Sequence, residues 1–90
     1  MTVAATITEK LTAAFQPTRL QVLDESHRHA GHVGSRPGGE THFAVVIVAS
    51  AFAGKSRVER QRLVYAALAD ELAGPVHALS VRALGPGDAP

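Results

Sequence analysis

From Thr41 to Ala49 the chain is apolar almost throughout and rich in β-branched residues. An unbroken run of this kind suits a central strand covered on at least one face, not an edge strand that alternates into water. A fold built on it must supply that cover from very few large side chains. The aromatic residues are three Phe and one Tyr, with no Trp, so the core has to come from Val, Leu, Ala and Ile. At 90 residues the chain has room for one small domain, which buries somewhat over ~60 % of its unfolded surface.

The flanking segments suggest what covers the strand. Ile7, Leu11, Ala14 and Phe15 recur at helical spacing, Thr6 with Glu9 fits a capping box, and Pro17 stops the helix; a helix is expected over 6–15. Arg19 to Leu23 alternates and reads as a short strand. Asp24 to Gly39 is Ser, His, Arg, Gly and Pro without periodicity, a long loop for a small domain. After a turn around Gly54, Ser56 and Glu59 form a second capping box. The helix they open carries a stripe of Val58, Val64, Tyr65, Leu68 and Leu72, with Gln61 inside it, and ends at Gly74-Pro75. Val76 to Leu84 reads as the last strand. The domain is therefore expected over 1–84, with 85–90 a flexible tail.

The order is helix, strand, strand, helix, strand. Two strands separated by a helix favour parallel pairing, whereas the first two, joined by a loop, pair antiparallel. The expected fold class is α+β, a three-stranded mixed sheet with its helices on one face.

Composition excludes several functions. With no cysteine the chain has no disulfide, no thiolate metal site and no thiol redox chemistry of its own. A net charge of +1 lacks the basic excess usual in nucleic-acid binders. No basic segment followed by a long apolar stretch opens the chain, and the Phe43–Ala53 run falls well short of the ~20 residues of a membrane span. A cytoplasmic protein without membrane contact is expected. No Ser-His-Asp arrangement or carboxylate pair stands out, so it is not expected to be an enzyme.

Two histidines stand out. His29 lies in the polar loop Ser26-His27-Arg28-His29-Ala30-Gly31-His32, and His77 opens the last strand-like run. Neutral imidazole is a good ligand for iron, zinc or copper and titrates near pH ~6.5. The same residues also fit plain structural parts, His77 bonding a backbone carbonyl and His29 a solvated loop residue. His27, His29 and His32 could together hold zinc, although a Gly-rich loop supplies neither fixed geometry nor supporting contacts. Lys55, Arg57, Arg60 and Arg62 cluster at the start of the second helix. They suit either phosphate contact at a positive helix end or a solvated face. The Gly-x-x-Gly loop of KH domains is missing there.

Several motifs in order carry a family resemblance from the first helix to about Ala83. They are Asp24-Glu25-Ser26, Gly39-Glu40-Thr41-His42-Phe43, Phe52-Ala53-Gly54-Lys55-Ser56, Arg60-Gln61-Arg62-Leu63-Val64-Tyr65, Leu68-Ala69-Asp70-Glu71-Leu72 and Val76-His77-Ala78-Leu79. Together they resemble the BolA family. The resemblance implies a fold similar to type II KH domains. It also implies binding to a monothiol glutaredoxin with shared ligation of a [2Fe–2S] cluster, in iron and redox homeostasis. A DNA-binding role in transcriptional regulation, linked to stress and cell shape, is the alternative it implies. The family's loop ligand falls on His29 and its C-terminal histidine on His77. Gln61 stands where the family usually has histidine. Lacking thiolate, this chain could hold such a cluster only with a partner's sulfur. It is expected to carry no cofactor when isolated, and to be a monomer alone and a heterodimer with its partner.

Overall fold

A computed structural model describes residues 2–25 and 42–88. Helix α1 (Val3–Phe15), strands β1 (Arg19–Asp24) and β2 (His42–Val48), helices α2 (Arg57–Ala67) and α3 (Ala69–Ala73), and strand β3 (Ala78–Leu84) follow in that order. The sheet runs β1-β2-β3. β1 pairs antiparallel with β2, with Gln21 opposite Val46. β3 pairs parallel with β2, with His42 beside Ala78 and Val46 beside Arg82. The expected α+β class and mixed sheet are those of the molecule.

β2 is central, and its pleat divides it by face. Phe43, Val45 and Ile47 point to the helices and are buried, while His42, Ala44, Val46 and Val48 on the other face are half-buried. The core joins those three to Ile7, Leu11, Ala49, Phe52, Val64, Leu68 and Val76. Leu20 and Val22 of β1, and Leu79, Val81 and Ala83 of β3, pack at its margin. The rings of Phe15 and Phe52 meet at 5.0 Å, tilted by 41°, and join α1 to a short 3₁₀ turn at Ser50–Phe52. On the sheet's open face lie Arg19, Gln21, the half-exposed Leu23, Ser80 and Arg82.

Five local expectations are corrected. α1 starts at Val3 because the Thr2 hydroxyl accepts from the Ala5 N–H; Thr6 is an interior residue whose hydroxyl donates to the Thr2 carbonyl. Ala14 faces outward, and only Ile7 and Leu11 of the proposed stripe are fully buried. Val58 in the first turn of α2 is likewise exposed. The long second helix breaks at Leu68, whose backbone leaves the helical region with φ −110° and ψ 23°. Leu68 is buried there, and α3 brings Glu71 under α1 to meet Lys10 at 2.8 Å. Finally, β3 begins at Ala78, after Val76 has given its N–H to the Glu71 carbonyl.

Candidate functional site

β2 and β3 run parallel, so both begin at the same end of the sheet. β1 finishes at that end too, because Asp24 lies opposite Phe43. The Glu25 N–H donates to the His42 carbonyl at 2.8 Å and closes the ladder there. The chain therefore leaves the described residues at Glu25 and re-enters at His42, both at the end of the sheet where β3 starts, with His42 beside Ala78. His29, with His27 and His32, lies outside the described residues.

His77 stands at this end in the bend before β3 and is exposed. Had it opened the strand as expected, alternation would have given it the face of Leu79 and Val81, toward the helices. Val76 takes the buried position instead, and the Gly74-Pro75 turn before it frees His77 from the pleat. Its ring lies near-parallel to that of His42, with centroids 6.3 Å apart and planes at 15°. His42 is the residue sequence reasoning missed. It stands in the Glu40-Thr41-His42-Phe43 motif, but nothing in the spacing of 35 residues from His77 signals a meeting. Only strand register reveals it. Among the described residues no group of three or more His, Cys, Asp or Glu is arranged to hold a metal.

The basic cluster at the opposite end of β3 divides into two kinds of residue. Arg60 is engaged within the chain: its Nε donates to the Lys55 carbonyl at 3.0 Å, and Nη1 donates to the Ala83 carbonyl at 3.1 Å and to Asp88 Oδ2 at 2.8 Å. The same Asp88 oxygen accepts from the Gly85 N–H at 2.8 Å, so Gly85–Asp88 of the expected tail is held against the domain. These contacts, the backbone bond first and then the guanidinium, keep the Asp88 carboxyl below its ordinary value. Lys55, Arg57 and Arg62 are exposed. A groove of about 780 Å³ between α2 and β3 is lined by Lys55, Arg57, Arg60 and Gln61 on one side and by Val81, Arg82, Ala83 and Leu84 on the other. Gln61 thus faces a polar groove instead of the core, which explains how an amide interrupts the apolar stripe.

The capping box at the head of α2 forms as expected. Ser56 N–H donates to Glu59 Oε1 at 2.9 Å, and Glu59 N–H donates to Ser56 Oγ at 3.1 Å. The bond from the Ser56 N–H, followed by a side-chain hydrogen bond with Ser56, holds the Glu59 carboxyl below its ordinary value. Gly54, at φ 74°, makes the turn that leads into the cap, a conformation a side chain would strain.

Comparison with known proteins places this arrangement. The family model for BolA-like proteins matches residues 11–88. The chain belongs to the BolA family. It is 50 % identical over 84 residues to the human BolA-like protein 1, covering 93 % of this chain and 58 % of that one. The chain thus spans less than two thirds of that relative's length. It is 47 % identical over 81 residues to the DNA-binding transcriptional regulator BolA of Escherichia coli, covering 90 % of this chain and 73 % of the relative. Among solved structures, the BolA domain of SufE1 from Arabidopsis thaliana superposes with a TM-score of 0.85 at 46 % identity, covering 96 % of this chain and 94 % of that one. The α+β fold with its three-stranded mixed sheet agrees with that solved BolA-family structure.

Proposed function

We propose that this BolA-family chain is a non-catalytic adaptor that binds a monothiol glutaredoxin and contributes His77, with His29 as second ligand, to a shared [2Fe–2S] cluster. The observation that carries this reading is the exposed imidazole of His77 at the loop end of the sheet. The donor set fits half of such a site and no more. Imidazole nitrogens can replace two thiolates on one iron, and a chain without cysteine leaves the sulfur positions to its partner. When bound, the cluster would supply electron-transfer or iron-transfer chemistry. This chain's own contribution from the described residues is the exposed His77 imidazole, held at the end of the sheet where β3 begins.

The test is co-expression with a monothiol glutaredoxin, followed by an iron count and a visible circular-dichroism spectrum of the purified complex. His77→Ala is expected to remove most of the iron and the visible bands while leaving the far-ultraviolet spectrum unchanged. A full complement of iron in that variant would refute ligation by His77.

A DNA-binding regulator is the second reading, favoured by the cationic groove between α2 and β3 and by the printed name of the Escherichia coli relative. In this reading Lys55, Arg57 and Arg62 contact phosphate, and Arg60 holds the groove's shape through Ala83 and Asp88. Affinity for duplex DNA should then fall with salt at about 0.9 log units per phosphate contact. The double variant Arg57→Glu, Arg62→Glu should weaken binding and flatten that slope. No gel shift at physiological salt would end this reading.

A further inference from the structure

We propose that the groove between α2 and β3 binds an extended acidic segment of a partner protein, which adds a fourth strand to the sheet along the outer edge of β3. The groove lies toward the other end of β3 from His77 and needs neither a cluster nor DNA.

Three observations carry it. The first is an unfinished sheet edge. The Leu84 carbonyl accepts from the Ala49 N–H, so Leu84 turns its backbone toward β2. Alternation along β3 then sends the backbone groups of Leu79, Val81 and Ala83 away from the sheet. Side chains of α2 take two of these: the Leu79 carbonyl accepts from the Tyr65 hydroxyl at 2.9 Å, and the Ala83 carbonyl from Arg60 Nη1 at 3.1 Å. Val81 lies between them. Among the described residues nothing bonds its outward N–H and C=O, or the outward N–H of Ala83. Open donors and acceptors along a sheet edge pair readily with another extended chain.

The second observation is room. Val81, Arg82, Ala83 and Leu84 form one wall of the groove of about 780 Å³ and residues of α2 and its lead-in the other, so the helix stands off from this part of the edge instead of covering it. The third is charge. Lys55, Arg57, Arg60 and Arg82 line the groove, and no Asp or Glu is among its described lining residues. The chain already sets one carboxylate against this wall: Asp88 Oδ2 accepts from Arg60 Nη1 and from the Gly85 N–H, both at 2.8 Å. Side chains of an added strand alternate between its faces. Acidic ones on the helix side meet Lys55 and Arg57, which are exposed, and Gln61 offers an amide beside them. A phosphate backbone only accepts hydrogen bonds, whereas the Val81 carbonyl needs a donor, which a peptide N–H supplies. The edge therefore suits a polypeptide better than a nucleic-acid backbone.

The experiment titrates the full ¹⁵N-labelled chain with a capped hexapeptide alternating glutamate and valine. Its controls are the same peptide N-methylated at each backbone amide, a lysine–valine counterpart, and a DNA duplex. The glutamate peptide is expected to shift the Val81 and Ala83 amide protons downfield and to slow their exchange with solvent. The methylated form keeps the charge but lacks the donors, and should bind about tenfold more weakly, the scale of one or two lost hydrogen bonds. The lysine peptide should leave the spectrum unchanged. Val81→Pro deletes the outward donor without removing a bond to β2, a position where an edge strand tolerates proline, and should weaken binding. Arg57→Glu should weaken it through charge, and serves if the proline variant does not fold. His77→Ala should bind the peptide as the wild type does, which separates this site from cluster ligation. Equal affinity of the methylated and unmodified peptides would reduce the groove to charge attraction and overturn strand addition. Shifts in the groove from the duplex, with none from the glutamate peptide, would also overturn it and leave the DNA reading standing.

Discussion

Single residues here hold together elements far apart in the chain. Lys10 on α1 reaches Glu71 on α3 at 2.8 Å, and that bond raises the lysine above its ordinary value. Arg60 joins the turn at Lys55 to Ala83 and Asp88. Neither pairing could be read from spacing, because each partner lies on another element. The signs of the shifts set the stability profile. Glu59 and Asp88 are both lowered, so their contributions are complete above about 4.5, the ordinary value for Glu59, and are lost as pH falls through the lowered values. Lys10 is raised, so its contribution is complete below 10.5 and is lost as pH climbs through the higher folded value. All three groups are at the surface, where such pairs contribute modestly. Urea midpoints should therefore form a plateau across neutral pH and fall on the acid side of about 4.5. Asp88→Asn should make that acid fall shallower; an identical profile would show that the Asp88 bonds contribute nothing to it.

At the scale of elements, local chemistry was legible where the signal was confined to one turn. Ser56 with Glu59 announces the head of α2, and both bonds of the box are present. Removing the cap hydroxyl costs about 1 kcal/mol. Ser56→Ala should accordingly lower the melting temperature by roughly 4–8 °C, the scale for a domain of this size. Calorimetry checks this, and an unaltered melting temperature would mean the box is marginal. The same pattern at Thr6 and Glu9 misled, because Thr2 caps one turn earlier and an extra turn of α1 adds Val3 and Ala4 to the core margin. Nor does any Gly or Pro mark the break at Leu68: Ala66-Ala67-Leu68-Ala69 are all good helix formers. Burial of Leu68 and the turn of α3 toward Lys10 override that preference. Tyr65 adds a similar long-range tie, donating its hydroxyl proton to the Leu79 carbonyl on the outer edge of β3 at 2.9 Å.

For the molecule as a whole, what the chain dictates by itself is its order of elements, its pairing directions and the identity of its central strand. A continuous β-branched run can be satisfied only in mid-sheet, and a helix between two strands favours parallel pairing. Because the chain has no thiolate, any shared metal centre must also draw its sulfur from elsewhere, a limit of composition that no folding alters. What only tertiary structure decided is which side chains meet. Register sets His42 beside Ala78, and the bend after Pro75 swings His77 out of the pleat and toward it. Arg60 is likewise drawn from an apparent surface cluster into bonds with β3 and Asp88. Periodicity and capping act over a few residues and leave their mark in local sequence, whereas encounters across tens of residues depend on how the sheet is registered and the helices laid over it, and leave none.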